Sequence, residues 1–242
     1  GVGIAAKRGI VLRNGEAIEN ISKTKQVVFD KTGTLTTGKF VLSPIRIIDS
    51  QFNEKQVRDL LYTLESVSIH PIARSLSDSL SSSSELHVMS EATEEKGTGV
   101  KGNIQGKGYS VEGTDREGRK LLLLRCEGKV IAEAEVEDEE RTGTSDLLEW
   151  LRKRNIRMYL MSGDKEQRVR HFAEGKPFHE VQWELKPADK LNKLRELSRT
   201  GIVAMAGDGL NDAPALALAH TGIGFGEPGT IHADTSDVLL LH

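Results

Sequence analysis

Asp30-Lys31-Thr32-Gly33-Thr34-Leu35-Thr36 follows directly on the apolar run Val27-Val28-Phe29. An apolar run that stops at a carboxylate and passes into a Gly/Thr turn predicts a buried strand with Asp30 at the carboxyl edge of a sheet. There the carboxylate can act as a nucleophile. The hydroxyls and main-chain N–H groups of residues 32–36 can surround a phosphoryl group, because short Gly/Thr turns leave amides pointing at an anion. Taken alone, Asp-x-Thr-Gly would equally describe an Asp that caps a turn.

Two later stretches repeat the design. Met158-Tyr159-Leu160-Met161 runs into Ser162-Gly163-Asp164, and Ile202-Val203-Ala204-Met205-Ala206 runs into Gly207-Asp208-Gly209-Leu210-Asn211-Asp212. Laid parallel in one sheet, the three runs bring their ends to one edge, where open α/β sheets place ligands. Lys186-Pro187-Ala188-Asp189-Lys190 reads as a helix start with Pro in its first turn, from which Lys190 can face the same edge. A carboxylate that attacks phosphorus splits one hard transfer into two easier ones. Asp30 and Asp208 together suit Mg²⁺, a hard cation that takes a few carboxylate oxygens and keeps several waters. Lys190 and the Ser162 hydroxyl suit phosphoryl oxygens.

The long motifs at 30–36 and 207–216 resemble those of P-type ATPases, and the resemblance runs from the Gly-rich start through Asp237. It implies an α/β fold of two domains. Residues 1–47 and 135–242 would form a discontinuous phosphorylation domain, a haloacid-dehalogenase-like (Rossmann-type) parallel sheet. Residues 48–134 would form an inserted α+β nucleotide-binding domain with an antiparallel sheet. The resemblance implies that ATP phosphorylates Asp30, that Thr32, Ser162, Gly163 and Lys190 assist, and that Mg²⁺ sits at Asp30, Thr32, Asp208 and Asp212. Asp138-Glu139-Glu140-Arg141 matches the family's Asp-x-x-Arg element, and Ser162 keeps the hydroxyl of its usual Thr. Asp164 and Asp212 would orient the nucleotide or metal shell, or cap a following helix. Two alternatives are a stand-alone phosphatase of this fold and a non-catalytic nucleotide-binding regulatory module. The first would want a second Asp as general acid where Thr32 stands, and the second does not need the intact set Asp30, Ser162, Lys190 and Asp208.

Between the two halves the pattern changes. Val57, Leu60, Leu61 and Leu64 recur at helical spacing, Pro71 opens a second helix through Ala73, Leu76 and Leu80, and Ser81 to Ser84 read as a surface loop. Short apolar runs separated by Gly from Leu86 to Glu135 predict an antiparallel sheet. His70-Pro71, Glu65, Gly97-Thr98-Gly99 and Gly113-Thr114 are similar to the nucleotide-binding domain of the heavy-metal subfamily, although that subfamily has Asn where Thr114 stands. The resemblance implies that His70 contacts adenine, that Glu65 accepts from its exocyclic amine, and that Gly97, Gly99 and Gly113 let the backbone approach the nucleotide.

A chain of 242 residues suits two compact units, and 37% hydrophobic with 29% charged residues describes a globular protein. The net charge of -3 argues against a nucleic-acid partner. Cys126 stands alone and reads as a small apolar strand residue. No run of about 18 apolar residues is present. The opening Gly1 to Glu19 resembles the segment after the sixth membrane helix of heavy-metal-transporting P-type ATPases. That resemblance implies a chain at the cytoplasmic face of a membrane. The actuator domain, and the membrane helices that bind the exported ion (copper, or zinc or cadmium), would lie outside it. The helix after Arg141 is expected to put Leu147, Leu148, Trp150 and Leu151 into the core. His171, His179 and His220 lack metal-like clustering and read as structural.

Overall fold

The computed structural model describes residues 2–13, 15–95, 99–208, 212–225 and 235–241. The chain enters through α1 (Val2–Lys7), β1 (Ile10–Leu12) and α2 (Gly15–Lys23). Next comes the anticipated strand, β2 (Gln26–Asp30), with every residue buried. A tight turn, Lys31–Leu35, has Gly33 at φ +77° and leads into β3 (Thr36–Leu42). The molecule divides into two compact units, one of Gly1–Gly38 with Glu140–His242, the other of Lys39–Glu139.

The second unit contains β4 (Arg46–Ile47), α3 (Glu54–Glu65), α4 (Pro71–Leu80), β5 (Met89–Glu95), β6 (Gly99–Ile104), β7 (Lys107–Arg116), β8 (Arg119–Cys126) and β9 (Lys129–Glu140). Its strands run in the order β3-β9-β8-β7-β6-β5, with β4 also on β9, and the pairs from β5 to β9 are antiparallel. Alternate residues build the core. Val111 lies opposite Leu124, and Val57, Leu60, Leu61, Leu64, Leu76 and Leu80 of the two helices pack with them. Each such side chain contributes about 1.5–3 kcal/mol on burial. Asn53 and Gln56 cap α3 reciprocally, and Pro71 opens α4. This unit is wider than the expected 48–134, because Phe40, Leu42, Ile45, Ile47 and Val136 pack against the same core.

Back in the first unit come α5 (Thr144–Lys153), β10 (Arg157–Met161), α6 (Glu166–Ala173), β11 (Glu180–Gln182), α7 (Pro187–Ser198), β12 (Val203–Gly207), α8 (Ala213–Leu218), β13 (Thr221–Phe225) and β14 (Val238–Leu240). The sheet order is β1-β14-β13-β12-β2-β10-β11, parallel throughout except for β1. β2 sits centrally with helices over both faces, which explains its unbroken apolar run. Val27 and Phe29 pack with Leu148, Leu151 and Val169 on one side. Val28 packs with Leu194, Leu197 and Leu216 on the other. Contrary to the expectation for α5, Leu147 and Trp150 are 42% and 49% exposed. The core stripe is Leu148 and Leu151, and the stripe one residue earlier turns outward, where Arg154 lies 3.7 Å over the Trp150 ring.

Candidate functional site

Register determines what meets at the carboxyl edge of the parallel sheet. Met161 of β10 pairs with Asp30, and Ala206 of β12 pairs with Phe29, so β10, β2 and β12 end level. Asp30, Ser162 and Gly207-Asp208 therefore share one edge. Lys190 joins them from α7, whose start is held by Pro187 and by the Asp189 carboxylate accepting from Lys186 N at 2.9 Å. Its ammonium donates to Asp30 Oδ1 at 2.5 Å and to Asp212 Oδ1 at 2.8 Å. All three residues are buried, with exposures of 6%, 6% and 2% for Lys190, Asp30 and Asp212.

One ammonium does not neutralise this edge. Burial drives the Asp30 pKa up, Lys190 pulls it down, and the charges of Asp212 and Asp208 push it up again, to about 7. Burial works against the Lys190 ammonium, but Asp30 and Asp212 outweigh it and hold its pKa above the ordinary value. Asp208 is pressed against the turn: a Cβ on Gly33 would lie 3.0 Å from its Cβ and 3.1 Å from Oδ2. Excess carboxylate charge on oxygen-only donors fits a hard divalent cation such as Mg²⁺ at Asp30 and Asp208, beside the Thr32 main chain. Asp212, expected among the metal ligands, accepts from Lys190 through Oδ1.

The turn that carries Thr32 is fixed from both sides. Lys31 is buried, with Nζ 2.7 Å from Asp164 Oδ2, and the Thr32 hydroxyl donates to the same oxygen at 3.4 Å. Burial opposes the Asp164 charge, yet the Lys31 ammonium prevails and holds its pKa below the usual carboxylate value. Asp164 N donates to Ser162 Oγ at 3.1 Å, which leaves that hydroxyl's proton for another acceptor. Gly163 is exposed beyond the end of β10. From the other side the Arg141 guanidinium donates at 3.0 Å to the carbonyls of both Gly33 and Thr34, and Thr144 Oγ1 donates to Leu35 O at 3.1 Å. The Thr34 hydroxyl is buried with no hydrogen-bond partner among the described residues. Arg141 thus anchors the turn, a role its motif match did not reveal.

The second unit holds its own cavity of about 310 Å³ between the helix ends and the sheet, lined by Glu65, Ser68, His70, Glu94, Gly99, Gly113 and Lys120 among others. Glu65 is 5% exposed, and its carboxyl has no hydrogen-bond partner among the described residues. Burial, and then the charge of Glu94, pushes its pKa up to about 7. His70 caps α4, its Nδ1 accepting from Ile72 N at 3.2 Å, so Nε2 carries the ring proton of the neutral tautomer. The Ser68 hydroxyl accepts from His70 N at 3.1 Å and donates to Glu94 Oε1 at 2.5 Å. A Cβ on Gly113 would enter open space, whereas one on Gly99, at φ +139°, would lie 1.8 Å from Val111 O. Gly113 therefore keeps the cavity clear, while Gly99 is glycine because β7 passes too close for any side chain. Gly97 lies outside the described residues, as do Gly209, Leu210 and Asn211. Glu94 is the residue that sequence reasoning missed. It stands on β5, far from Glu65 in the chain, and no local spacing links the two.

His220 and His179 serve the fold, as expected. His220 Nδ1 accepts from Val203 N at 3.2 Å, and His179 meets Tyr159 edge-on at 5.5 Å. Among the described residues there is no cluster of three or more His, Cys, Asp or Glu arranged to hold a metal, and no helix long and apolar enough to cross a membrane.

The family of haloacid dehalogenase-like hydrolases matches residues 24–220. A probable cadmium-transporting ATPase of Alkalihalophilus pseudofirmus is 30% identical over 99% of this chain and 37% of its own length. A copper-exporting P-type ATPase of Legionella pneumophila is 32% identical over 100% of this chain and 36% of its own length. The chain thus spans about a third of the curated relatives it matches. A solved structure of the catalytic domain of the CPx-ATPase CopB-B, 26% identical, superposes with a TM-score of 0.71 over 99% of this chain and 93% of that one.

Proposed function

Because this chain belongs to the haloacid dehalogenase-like hydrolases, and its relatives are heavy-metal P-type ATPases, we propose that it is the catalytic part of such a pump. It binds ATP, takes the γ-phosphoryl group onto Asp30, and serves at the cytoplasmic face of a membrane to drive export of copper, zinc or cadmium. The ion's ligands and the actuator domain belong to other parts of the polypeptide. The observation that carries this reading is the buried contact of Lys190 with Asp30 and Asp212 at the level ends of three parallel strands.

Each residue then has a task. An Asp30 oxygen bonds to the γ-phosphorus while the bond to the β–γ bridging oxygen breaks, and ADP leaves with that electron pair. Lys190 sits where it can bind an equatorial oxygen as charge moves, and Asp212 orients Lys190. Ser162 and the amides of the turn supply further donors, with Arg141 and Asp164 keeping that turn in shape. Mg²⁺ held by Asp30, Asp208 and Thr32 would offset charge on the phosphates and on the crowded carboxylates. In the second unit His70 and Glu65 hold the adenine, and Gly99 and Gly113 border it.

The test is isotope-labelled phosphate transfer from ATP with Mg²⁺. Wild type is expected to acquire acid-stable label and Asp30→Asn none, while ATP affinity falls in His70→Ala. Label persisting in Asp30→Asn would sink the assignment of the nucleophile.

A further inference from the structure

We propose that Glu65 reads adenine as a neutral carboxylic acid, donating its proton to a ring nitrogen while accepting from the exocyclic amine, and that Glu94 is the positioning residue that keeps it neutral. This rests on the reading of the cavity as the nucleotide site.

The cavity supplies the geometry. Glu65 is buried at the end of α3, its carboxyl is unpartnered among the described residues, and it lines a space that a purine ring can fill. A ring seated there strips the remaining water from the carboxyl, so whatever the ligand edge offers must satisfy both oxygens. An ionised carboxylate only accepts. Adenine's edge alternates a donor, the exocyclic N–H, with acceptor ring nitrogens, so an ionised Glu65 would set one oxygen lone pair against another lone pair. A neutral carboxyl presents one donor and one acceptor, the pattern by which Asn and Gln read adenine bidentately. Guanine's edge, with two adjacent N–H donors, suits the ionised form instead. The protonation state of Glu65 therefore determines which base is preferred.

Several groups face Glu65 across the cavity. Glu94 comes from β5, His70 from the start of α4, Asp115 from β7 and Lys120 from β8. His70 is engaged with Ile72 N, and Asp115 accepts from Gly118 N at 2.9 Å. Lys120 lies 5.7 Å over the Phe40 ring. After burial, Glu94 is the neighbour that favours the proton on Glu65, and the Ser68 hydroxyl holds it there as an acceptor. When ATP binds above neutral pH, the complex takes one proton from solvent onto Glu65.

The experiment is calorimetric titration of this chain with ATP and with GTP in Mg²⁺-free buffer between pH 7 and pH 9, repeated in buffers of different ionisation enthalpy. Wild type is expected to weaken toward tenfold per pH unit for ATP, to take up about one proton per ATP at the upper end, and to lose its preference over GTP as pH rises. Glu65→Gln, a fixed donor and acceptor, is expected to take up no proton and to show a flat profile. Glu94→Gln should shift the break in the wild-type profile to lower pH. A flat wild-type profile without proton uptake, with ATP still bound and still weakened by His70→Ala, overturns the proposal and spares the nucleotide site. If Glu94→Gln superposes on wild type, Glu94 is not the positioning residue. Absence of ATP binding by wild type at every pH overturns the site and the proposal together.

Discussion

Asp30 and Glu65 are both buried carboxyls pushed up to about 7, by burial first in each, and they differ in what acts beside it. At Asp30 an ammonium that touches the carboxylate pulls the value down and two further carboxylates push it up again, so opposing charges act on top of burial. Glu65 touches no donor among the described residues and is raised first by burial and then by the single charge of Glu94. One shifted value can therefore mark either a charge network that is short of a cation or a pocket that is short of a ligand. The distinction predicts opposite responses. The first site should collapse when a neighbour is removed, and the second should respond to protons.

The largest effect is expected at Lys190. Lys190→Met leaves Asp30 and Asp212 buried without their counter-charge, which costs about 3–5 kcal/mol when a buried pair is broken from one side. Phosphoryl transfer to Asp30 should also drop by about 10²–10³, the loss expected for one electrostatic contact of this kind. Both tryptophans, Trp150 and Trp183, belong to the first unit, so their fluorescence in a urea titration reports on that unit. Unchanged stability in Lys190→Met would erase the contrast with Glu65.

A smaller effect, of opposite kind, is expected from pH in the second unit. Glu65 rises from 4.5 to about 7 on folding. Below 4.5 both states hold the proton and its contribution is fully present. Between the two values the unfolded chain has released the proton and the native state has not, so stability falls as pH rises, and the contribution is lost above about 7. The span corresponds to roughly 3 kcal/mol. Amide hydrogen exchange in α3 and β6 between pH 5 and pH 8 measures it, after correction for the intrinsic exchange rate. Glu65→Gln should remove this slope, and an identical slope in that variant would assign it to other groups.

The first site is largely legible in the sequence because its chemistry is written at the ends of apolar runs. Asp30, Ser162 and Asp208 each terminate one, and parallel register brings them level without further information. Lys190 is legible through Pro187, which marks the turn of α7 that carries it. The bond of Asp212 to Lys190 is not, since an acid in a Gly/Asp motif reads equally as a metal ligand or a cap until the packing is known. In the second unit Glu65 and His70 come from one short stretch, but Glu94 reaches them through the pairing of β5 with β6, which local pattern does not specify. The outward turn of Leu147 and Trp150 has the same origin. An amphipathic helix offers two neighbouring stripes, and only the sheet decides which is buried.

The smallest expected effect isolates the link between Ser68 and Glu94. Ser68→Ala removes the donor to Glu94 and the acceptor of His70 N, two hydrogen bonds at the cavity wall, for a loss of about 1–2 kcal/mol in the second unit. Nothing in the first unit touches this hydroxyl through those bonds, so tryptophan-detected unfolding should not move. Glu94, no longer held, would spend more time in solvent and act less on Glu65. The pH range over which α3 loses exchange protection should then shift downward, in the same direction as in Glu94→Gln but by less. A shift as large as that of Glu94→Gln would mean that the hydroxyl, rather than the strand, positions the acid. No shift, with the stability loss intact, would mean that β5 alone holds Glu94 in place and that burial accounts for the state of Glu65.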